Sequence, residues 1–178
     1  MSVQASEAHL EALQAAAGRL ALAARETALE ASERRGAVLA RLIEGTPPEA
    51  KDLARLMEAE ARPRLLAGLR EDLRLAEAEA RLRLAEAKVA ETEALILEAG
   101  AAVRSLHEEY AALLAPLAAG GGVVEASVST PALTQARQRL TDLNSEVGAR
   151  RDEVARREAD LAVYRERYRQ RMAREARL

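Results

Sequence analysis

Apolar side chains recur every seven residues along the middle of the chain. One series of positions, a, is followed three residues later by a second series, d. The a series is Leu75, Leu82, Val89, Ile96, Val103, Tyr110 and Leu117, and the d series is Ala78, Ala85, Thr92, Ala99, Leu106 and Leu113. Such a pattern, sustained beyond three or four repeats, predicts a helix that packs in a coiled coil.

The same seven-residue spacing returns in the last third of the chain. Its a positions are Leu133, Leu140, Val147, Val154, Leu161 and Tyr168, and its d positions are Ala136, Leu143, Arg150, Arg157, Tyr164 and Arg171. Six consecutive repeats predict a second coiled-coil helix, in which three arginines occupy seam positions.

Two groups of turn-forming residues separate the helical segments. Gly45 can end a helix, and Thr46 and Pro47 suit the cap and first turn of the next. Further on, Gly120–Gly122 break the helical pattern, and Thr130-Pro131 restarts it. The pattern predicts helices over about 4–44, 47–117 and 131–178, with a glycine-rich tip at 118–130. Pro63 and Gly68 predict a kink in the middle helix near 63–68.

The last helix is expected to fold back on the middle one. In the register where paired residue numbers sum to 246, Val147 faces Ala99 and Val154 faces Thr92, so that large side chains meet small ones. Arg150 then lies opposite Ile96 and directs its charge outward. Residues 71–109 carry ten acidic and five basic side chains, and residues 137–178 carry eight acidic and twelve basic, so the charges of the two helices are complementary.

The first helix carries an apolar stripe of its own. It comprises Leu10, Leu13, Ala17, Leu20, Ala24, Ala31, Val38 and Leu42. A second face of the middle helix can receive it, formed by Leu66, Leu69, Leu73, Ala80 and Leu84. The sequence therefore predicts an all-α fold, with elongated three-helix antiparallel coiled-coil hairpins around a long central helix, in a single domain over 1–178. Two-helix ends would expose apolar seam edges, so we expect a homo-oligomer, most simply a dimer.

The composition agrees with helices that pack closely along narrow seams. The chain is 49% hydrophobic but lacks Phe and Trp, and it carries 31% charged residues. The net charge of −2 gives no general attraction to nucleic acid or anionic lipid. Cysteine is absent, and no secretion signal or membrane-spanning run is recognisable, so a cytoplasmic location is expected.

Few residues suggest chemistry. Gly120–Gly122 lack the following Lys-Ser/Thr of a phosphate-binding loop, so we interpret the tip as a reversal whose Val123, Val124 and Val128 are candidates for protein contact. The two histidines are His9 and His107, too few for a dedicated metal site. We therefore expect no metal, no cofactor and no enzymatic activity, because coiled coils lack concave, dry pockets.

The C-terminal segment interleaves tyrosine and arginine. Arg165, Arg167, Arg169 and Arg171 could contact nucleic acid, with Tyr164 and Tyr168 as stacking partners. Because both tyrosines occupy seam positions, packing and ion pairing are the favoured interpretation. The leading hypothesis is a structural or adaptor protein that acts as a scaffold, assembly or stalk component. The alternatives are nucleic-acid binding through the C-terminal helix and peripheral membrane association. If the leading hypothesis holds, we expect neither nucleic acid nor a membrane as a partner.

Overall fold

Three α-helices make up the fold of the computed structural model, which describes residues 2–119 and 130–176. They are α1 (Val3–Ile43), α2 (Ala50–Ala119) and α3 (Pro131–Glu175), and the described residues contain no strand. The predicted all-α fold with a long central helix is confirmed. The chain divides into two compact units, Met1–Val3 with Arg83–Arg157 and Gln4–Leu82 with Glu158–Leu178.

The end of α1 is closed by a Schellman motif. Gly45 has a φ of 73°, a left-handed conformation that favours glycine. The N–H of Thr46 donates to the carbonyl of Arg41 at 2.9 Å, and the N–H of Gly45 donates to the carbonyl of Leu42 at 3.1 Å. These bonds satisfy carbonyl groups that the last turn would otherwise leave unpaired, so the predicted stop at Gly45 is confirmed.

The start of α2 lies three residues later than predicted. The helix begins at Ala50, and the carbonyl of Glu49 accepts the first N–H groups, from Asp52 and Leu53. Thr46 and Pro47 therefore do not form the cap and first turn. The physical reason is Pro48, which disfavours helical geometry at the residue before it. From Ala50 the helix continues through Pro63 and Gly68 to Ala119 without a break.

The start of α3 follows the prediction. Thr130 precedes the helix, and its hydroxyl accepts a hydrogen bond from the N–H of Leu133 at 3.2 Å. Pro131 is the first helical residue, where its missing N–H costs nothing. Thr130 is thus the N-cap residue of α3.

In the unit that contains Arg83–Arg157, α2 and α3 pack through the predicted heptad positions. Leu133, Val147 and Thr92 are buried, and every a and d position of α3 in this unit is at least half-buried. Arg150 donates to the backbone carbonyl of Lys88 at 3.0 Å, and the hydroxyl of Thr92 donates to the same carbonyl at 2.9 Å. Arg150 therefore crosses to the neighbouring helix instead of directing its charge outward.

The register of this helix pair is displaced by one heptad from the predicted one. Arg150 and Lys88 have numbers that sum to 238, and a sum of 246 would place them about 12 Å apart along the helix. Leu133 is buried although Leu113, its predicted partner, is 69% exposed. A register with a sum of 239 accounts for both observations, because it places Leu133 against Leu106 and Val147 against Thr92.

Ala99 gives independent support for the displaced register. It lines a surface hollow together with Ala136 and Arg139 of α3. The predicted register instead placed Ala99 against Val147, so that pairing is wrong. The low numbers of α3 lie beside the high numbers of α2, as an antiparallel pair requires.

In the unit that contains Gln4–Leu82, α2 is packed on two sides. Ala78 and Ala80 are both buried, and two residues separate them by about 200° around a helix. Ala78 belongs to the seam with α3, where Leu161 is buried, and Ala80 belongs to the face predicted to receive α1. Two residues of the predicted α1–α2 contact, Leu42 and Leu69, are instead about half exposed.

Ion pairs flank the contact between α1 and α2. Arg35 lies 2.6 Å from Glu60, and Arg41 lies 2.5 Å from Asp52. Higher numbers on α1 pair with lower numbers on α2, so the two helices are antiparallel. Val38 and Ala59 are buried between these pairs, and Ala31 is buried about one turn before Arg35.

The register can be checked by cross-linking, because the chain has no cysteine of its own. We expect the double variant Val147→Cys/Thr92→Cys to form an intramolecular disulfide or to react with a short bifunctional thiol reagent. The matched variant Val147→Cys/Ala99→Cys should remain uncross-linked. Faster cross-linking of the Val147→Cys/Ala99→Cys variant would contradict the sum-239 register and support the sum-246 register. The readout is the mass of peptides after proteolysis.

A second prediction concerns Gly45. Replacing it with alanine forces a side chain into the left-handed region, which should lower the free energy of unfolding by about 1 kcal/mol. The control is Gly18→Ala inside α1, where an added Cβ meets nothing within 4 Å. That change should raise the free energy of unfolding by up to about 1 kcal/mol. Urea unfolding followed by circular dichroism measures both, and a loss of equal size at both sites would contradict the assignment.

Candidate functional site

The arginines of the C-terminal half of α3 were the sharpest candidates in the sequence. Arg165 donates to the carboxylate of Glu79 on α2 at 3.1 Å, and Arg169 donates to Glu166 on its own helix at 3.1 Å. Arg167 is exposed and makes no hydrogen bond or ion pair with a described residue. Arg171 has the most contacts of the four. Three of the four side chains thus face carboxylates.

Arg171 joins the end of α3 to the middle of α2. One of its terminal nitrogens donates to the carbonyl of Gly68 at 2.7 Å, and the other donates to the carboxylate of Asp72. Its Nε, which is buried and makes no hydrogen bond, lies 3.5 Å from Glu175. The guanidinium carbon, Cζ, lies over the ring of Tyr168, 5.1 Å from the ring centroid.

This surrounding keeps Arg171 charged. The hydrogen bond to Asp72 raises the pKa of the guanidinium above its ordinary value, and the carboxylates of Asp72 and Glu175 raise it further, against an opposing effect of burial. A raised pKa in the folded state stabilises the fold at every pH below the unfolded value. The contact is therefore insensitive to pH across the neutral range.

The tyrosines between these arginines serve packing. Tyr164 and Tyr168 are half-buried at their d and a positions of the seam. Their interleaving with arginine follows from the heptad, because exposed positions alternate with seam positions along the helix. This supports the packing interpretation of the Tyr-Arg pattern.

The other predicted contact residues, Val123, Val124 and Val128, lie with Gly120–Gly122 outside the described residues. His9 and His107 are exposed and belong to different units. Within 2–119 and 130–176, no three histidine or acidic side chains cluster as a metal site would require. None of the described helices has an apolar stretch long enough to cross a membrane.

An apolar stripe on α1 was missed in the sequence. Its residues, the α1 outer stripe, are Leu22, Leu29, Leu39 and Ile43, and all four are more than half exposed. Leu22, Leu29 and Ile43 lie on the side of α1 away from the buried Ala31, and Leu39 lies at the edge of that side. The signal was present, because positions 22, 29, 36 and 43 are spaced by seven residues and only Gly36 among them is not a large apolar residue.

The described hollows along α1 and α2 are open and partly charged. One of about 290 Å³ is lined by Arg34, Arg41 and Arg55 together with Asp52. Arg34 is paired with Glu30 and Arg41 with Asp52, so most of this charge is balanced locally. The arrangement stabilises the helix pair.

Comparison with known proteins yields no match. No protein family, no curated protein sequence and no solved structure matches the chain.

The structural role of Arg171 is testable against its exposed neighbour. Arg171→Met keeps an apolar stem and removes the charge, and we expect it to lower the free energy of unfolding by about 1 kcal/mol, since Asp72 is about half exposed. Arg167→Met should change it by less than about 0.5 kcal/mol. Urea unfolding of both variants provides the measurement. Equal losses would contradict a specific role for Arg171.

Proposed function

We propose that this chain is a non-enzymatic structural or adaptor protein that acts as a scaffold, assembly or stalk component through protein–protein contacts. The observation that carries the proposal is the α1 outer stripe. A sizeable exposed apolar surface is costly in water, and in natural proteins it commonly marks an interaction site.

The spacing of the stripe indicates what kind of partner it fits. Leu22, Leu29 and Ile43 repeat at the heptad interval, which presents one straight row to a neighbouring helix. Gly36 occupies the third of the four places in this row. The space around it is open, and its missing side chain allows another helix to approach closely. An amphipathic helix of a partner protein is the ligand that such a row suits.

The contacts of the C-terminal arginines favour a protein partner over nucleic acid. A phosphate backbone would have to compete with the carboxylates of Asp72 and Glu79 for Arg171 and Arg165. Peripheral membrane binding has a similar difficulty. The α1 outer stripe is flanked by both Glu26 and Arg19, whereas helices that lie on anionic membranes carry a basic polar face.

The proposal can be tested in the cell that carries the chain. A photo-crosslinking amino acid at Leu29 should give a discrete heavier adduct, which mass spectrometry identifies as a protein. The control places the same amino acid at Ala12, an exposed position of α1 that lies about 80° or more around the helix from each residue of the stripe. Absence of an adduct at Leu29, or equal adducts at both positions, would contradict the stripe as an interaction surface. Adducts with nucleic acid or lipid would instead favour the alternative functions.

A further inference from the structure

The α1 outer stripe belongs to a heptad pattern of its own. Its a positions are Leu22, Leu29, Gly36 and Ile43, and its d positions are Gly18, Arg25, Ser32 and Leu39. All eight residues are exposed. We name them the α1 seam, because they have the spacing of a coiled-coil contact and the described residues leave them uncovered.

Two charged side chains at this seam lack a partner. Arg25 at a d position and Glu33 beside the a positions are exposed, and neither makes a hydrogen bond or ion pair with a described residue. They lie about 12 Å apart along the helix, too far to neutralise each other. On the side of α1 that faces α2, by contrast, Arg35 is paired with Glu60. A helix that covers the seam should therefore bring a carboxylate to Arg25 and a cation to Glu33.

We infer that the α1 seam pairs with the α1 seam of a second copy of this chain, with the two α1 helices antiparallel. This inference rests on the proposed function, of which it names the partner and the register. Both copies use the same residues, so the contact is closed by a two-fold axis and does not propagate into a fibre.

The sizes of the side chains select one register. When paired residue numbers sum to 61, a positions of one helix meet d positions of the other. At three of the four levels a large side chain then faces a small residue: Leu29 faces Ser32, Ile43 faces Gly18, and Arg25 faces Gly36. A shift by one heptad in either direction puts Gly36 against Gly18 or Ser32 and leaves a void between the helices.

The same register gives Arg25 an acceptor. It lies level with Gly36 of the second copy, about 4.5 Å along the helix from Glu33 of that copy. Because the space around Gly36 is open, the guanidinium can cross to this carboxylate. Arg171 makes such a crossing from a d position of α3 to Asp72 of α2. The two-fold axis forms the contact twice.

Charge also sets the direction of the pair. In the antiparallel register Glu26 comes near Glu33 of the second copy, and the guanidinium of Arg25 lies between the two carboxylates and offsets their repulsion. In a parallel pair with equal residue numbers level, Arg25 would face Arg25 and Gly36 would face Gly36. Like charges and a void would then coincide, so the antiparallel direction is favoured.

The rest of the fold leaves room for the second copy. α2 packs on the side of α1 that carries the buried Ala31 and Val38, and α3 packs on a different side of α2. Neither helix therefore lies between the two α1 seams. The paired segment, residues 18–43, is about 39 Å long and spans its own copy completely. It ends with Ile43, the last residue of α1, which is 86% exposed.

The oligomeric state tests this inference. By sedimentation velocity over a range of concentrations, we expect the full chain to form dimers. Leu29→Glu should weaken dimerisation at least about tenfold, because two carboxylates would lose water against the facing helix. The matched control is Leu97→Glu, which alters an exposed leucine of α2 and should leave dimerisation unchanged. Circular dichroism should show the same helix content in all three proteins.

An exchange of charge tests the register. Arg25→Glu should weaken dimerisation about tenfold, because like charges then face each other twice. Addition of chains that carry Glu33→Arg should recover dimers of the labelled Arg25→Glu chain, since unlike charges face each other again. The matched control adds chains that carry Glu11→Arg, an exposed glutamate outside the paired segment, and should give less recovery. Fluorescence-detected sedimentation measures both mixtures, and equal recovery would overturn the register.

The direction of pairing needs a separate measurement, for which the chain has no cysteine of its own. We mix chains carrying Leu22→Cys with chains carrying Leu39→Cys and oxidise them. Antiparallel pairing should join unlike variants, because like positions lie about 25 Å apart along the pair. Cross-links between like variants would overturn the inference. A chain that is monomeric at all concentrations, or a dimer that Leu29→Glu leaves intact, would also overturn it.

The photo-crosslinking amino acid at Leu29 separates this inference from the proposed function. A second copy gives an adduct of twice the mass of the chain. If the chain is monomeric and Leu29 forms an adduct with a different protein, the proposed function stands and the second-copy contact is wrong. Absence of any adduct at Leu29 would contradict both.

Discussion

The contact between small side chains of α2 and larger ones of α3 is the constraint on which the rest of the structure depends. Alanine or threonine at the d positions of α2 lets the two backbones approach, and Leu161 and Val147 fill the space that these small residues leave. A chain without Phe or Trp cannot build a thick core, so it gains apolar burial by extending a narrow seam. Long helices are the consequence, and so is a fold in which one helix must serve two neighbours.

Polar contacts across the seam specify the alignment of the helices. Arg150 and Arg171 both occupy d positions, where an aliphatic side chain would pack more simply, and both donate to backbone carbonyls of α2. A hydrocarbon side chain tolerates sliding by a heptad, and so does a bond to a backbone carbonyl, because each turn of the helix offers another one. The ion pairs of Arg171 with Asp72 and of Arg165 with Glu79 need a carboxylate at one position. A half-buried seam arginine such as Arg171 thus gives up some apolar contact for a partner that fixes the register, a role that polar seam residues have in other coiled coils.

The unequal lengths of the helices explain where apolar surface remains exposed. The 70 residues of α2 carry seam positions along most of their length, and the 45 residues of α3 cover only part of them. Exposed apolar side chains remain on the first part of α2, at Met57 and Leu65, and beyond the start of α3, at Leu113. Apolar side chains that no helix of the chain covers form a surface on which another helix can pack.

The sequence by itself determined the three helices, the stop at Gly45, the cap at Thr130 and the residues that face the α2–α3 seam, because these depend on local geometry and on heptad spacing. It also identified the C-terminal arginines. Only the tertiary structure decided which carboxylates they pair with, and that Arg167 pairs with none of the described residues. It also decided the register, since a heptad pattern is unchanged by a shift of seven residues and leaves the choice to contacts such as that of Arg150 with Lys88. The exposure of Met57 and Leu65 depended on where α3 ends along α2, and that position follows from the same choice.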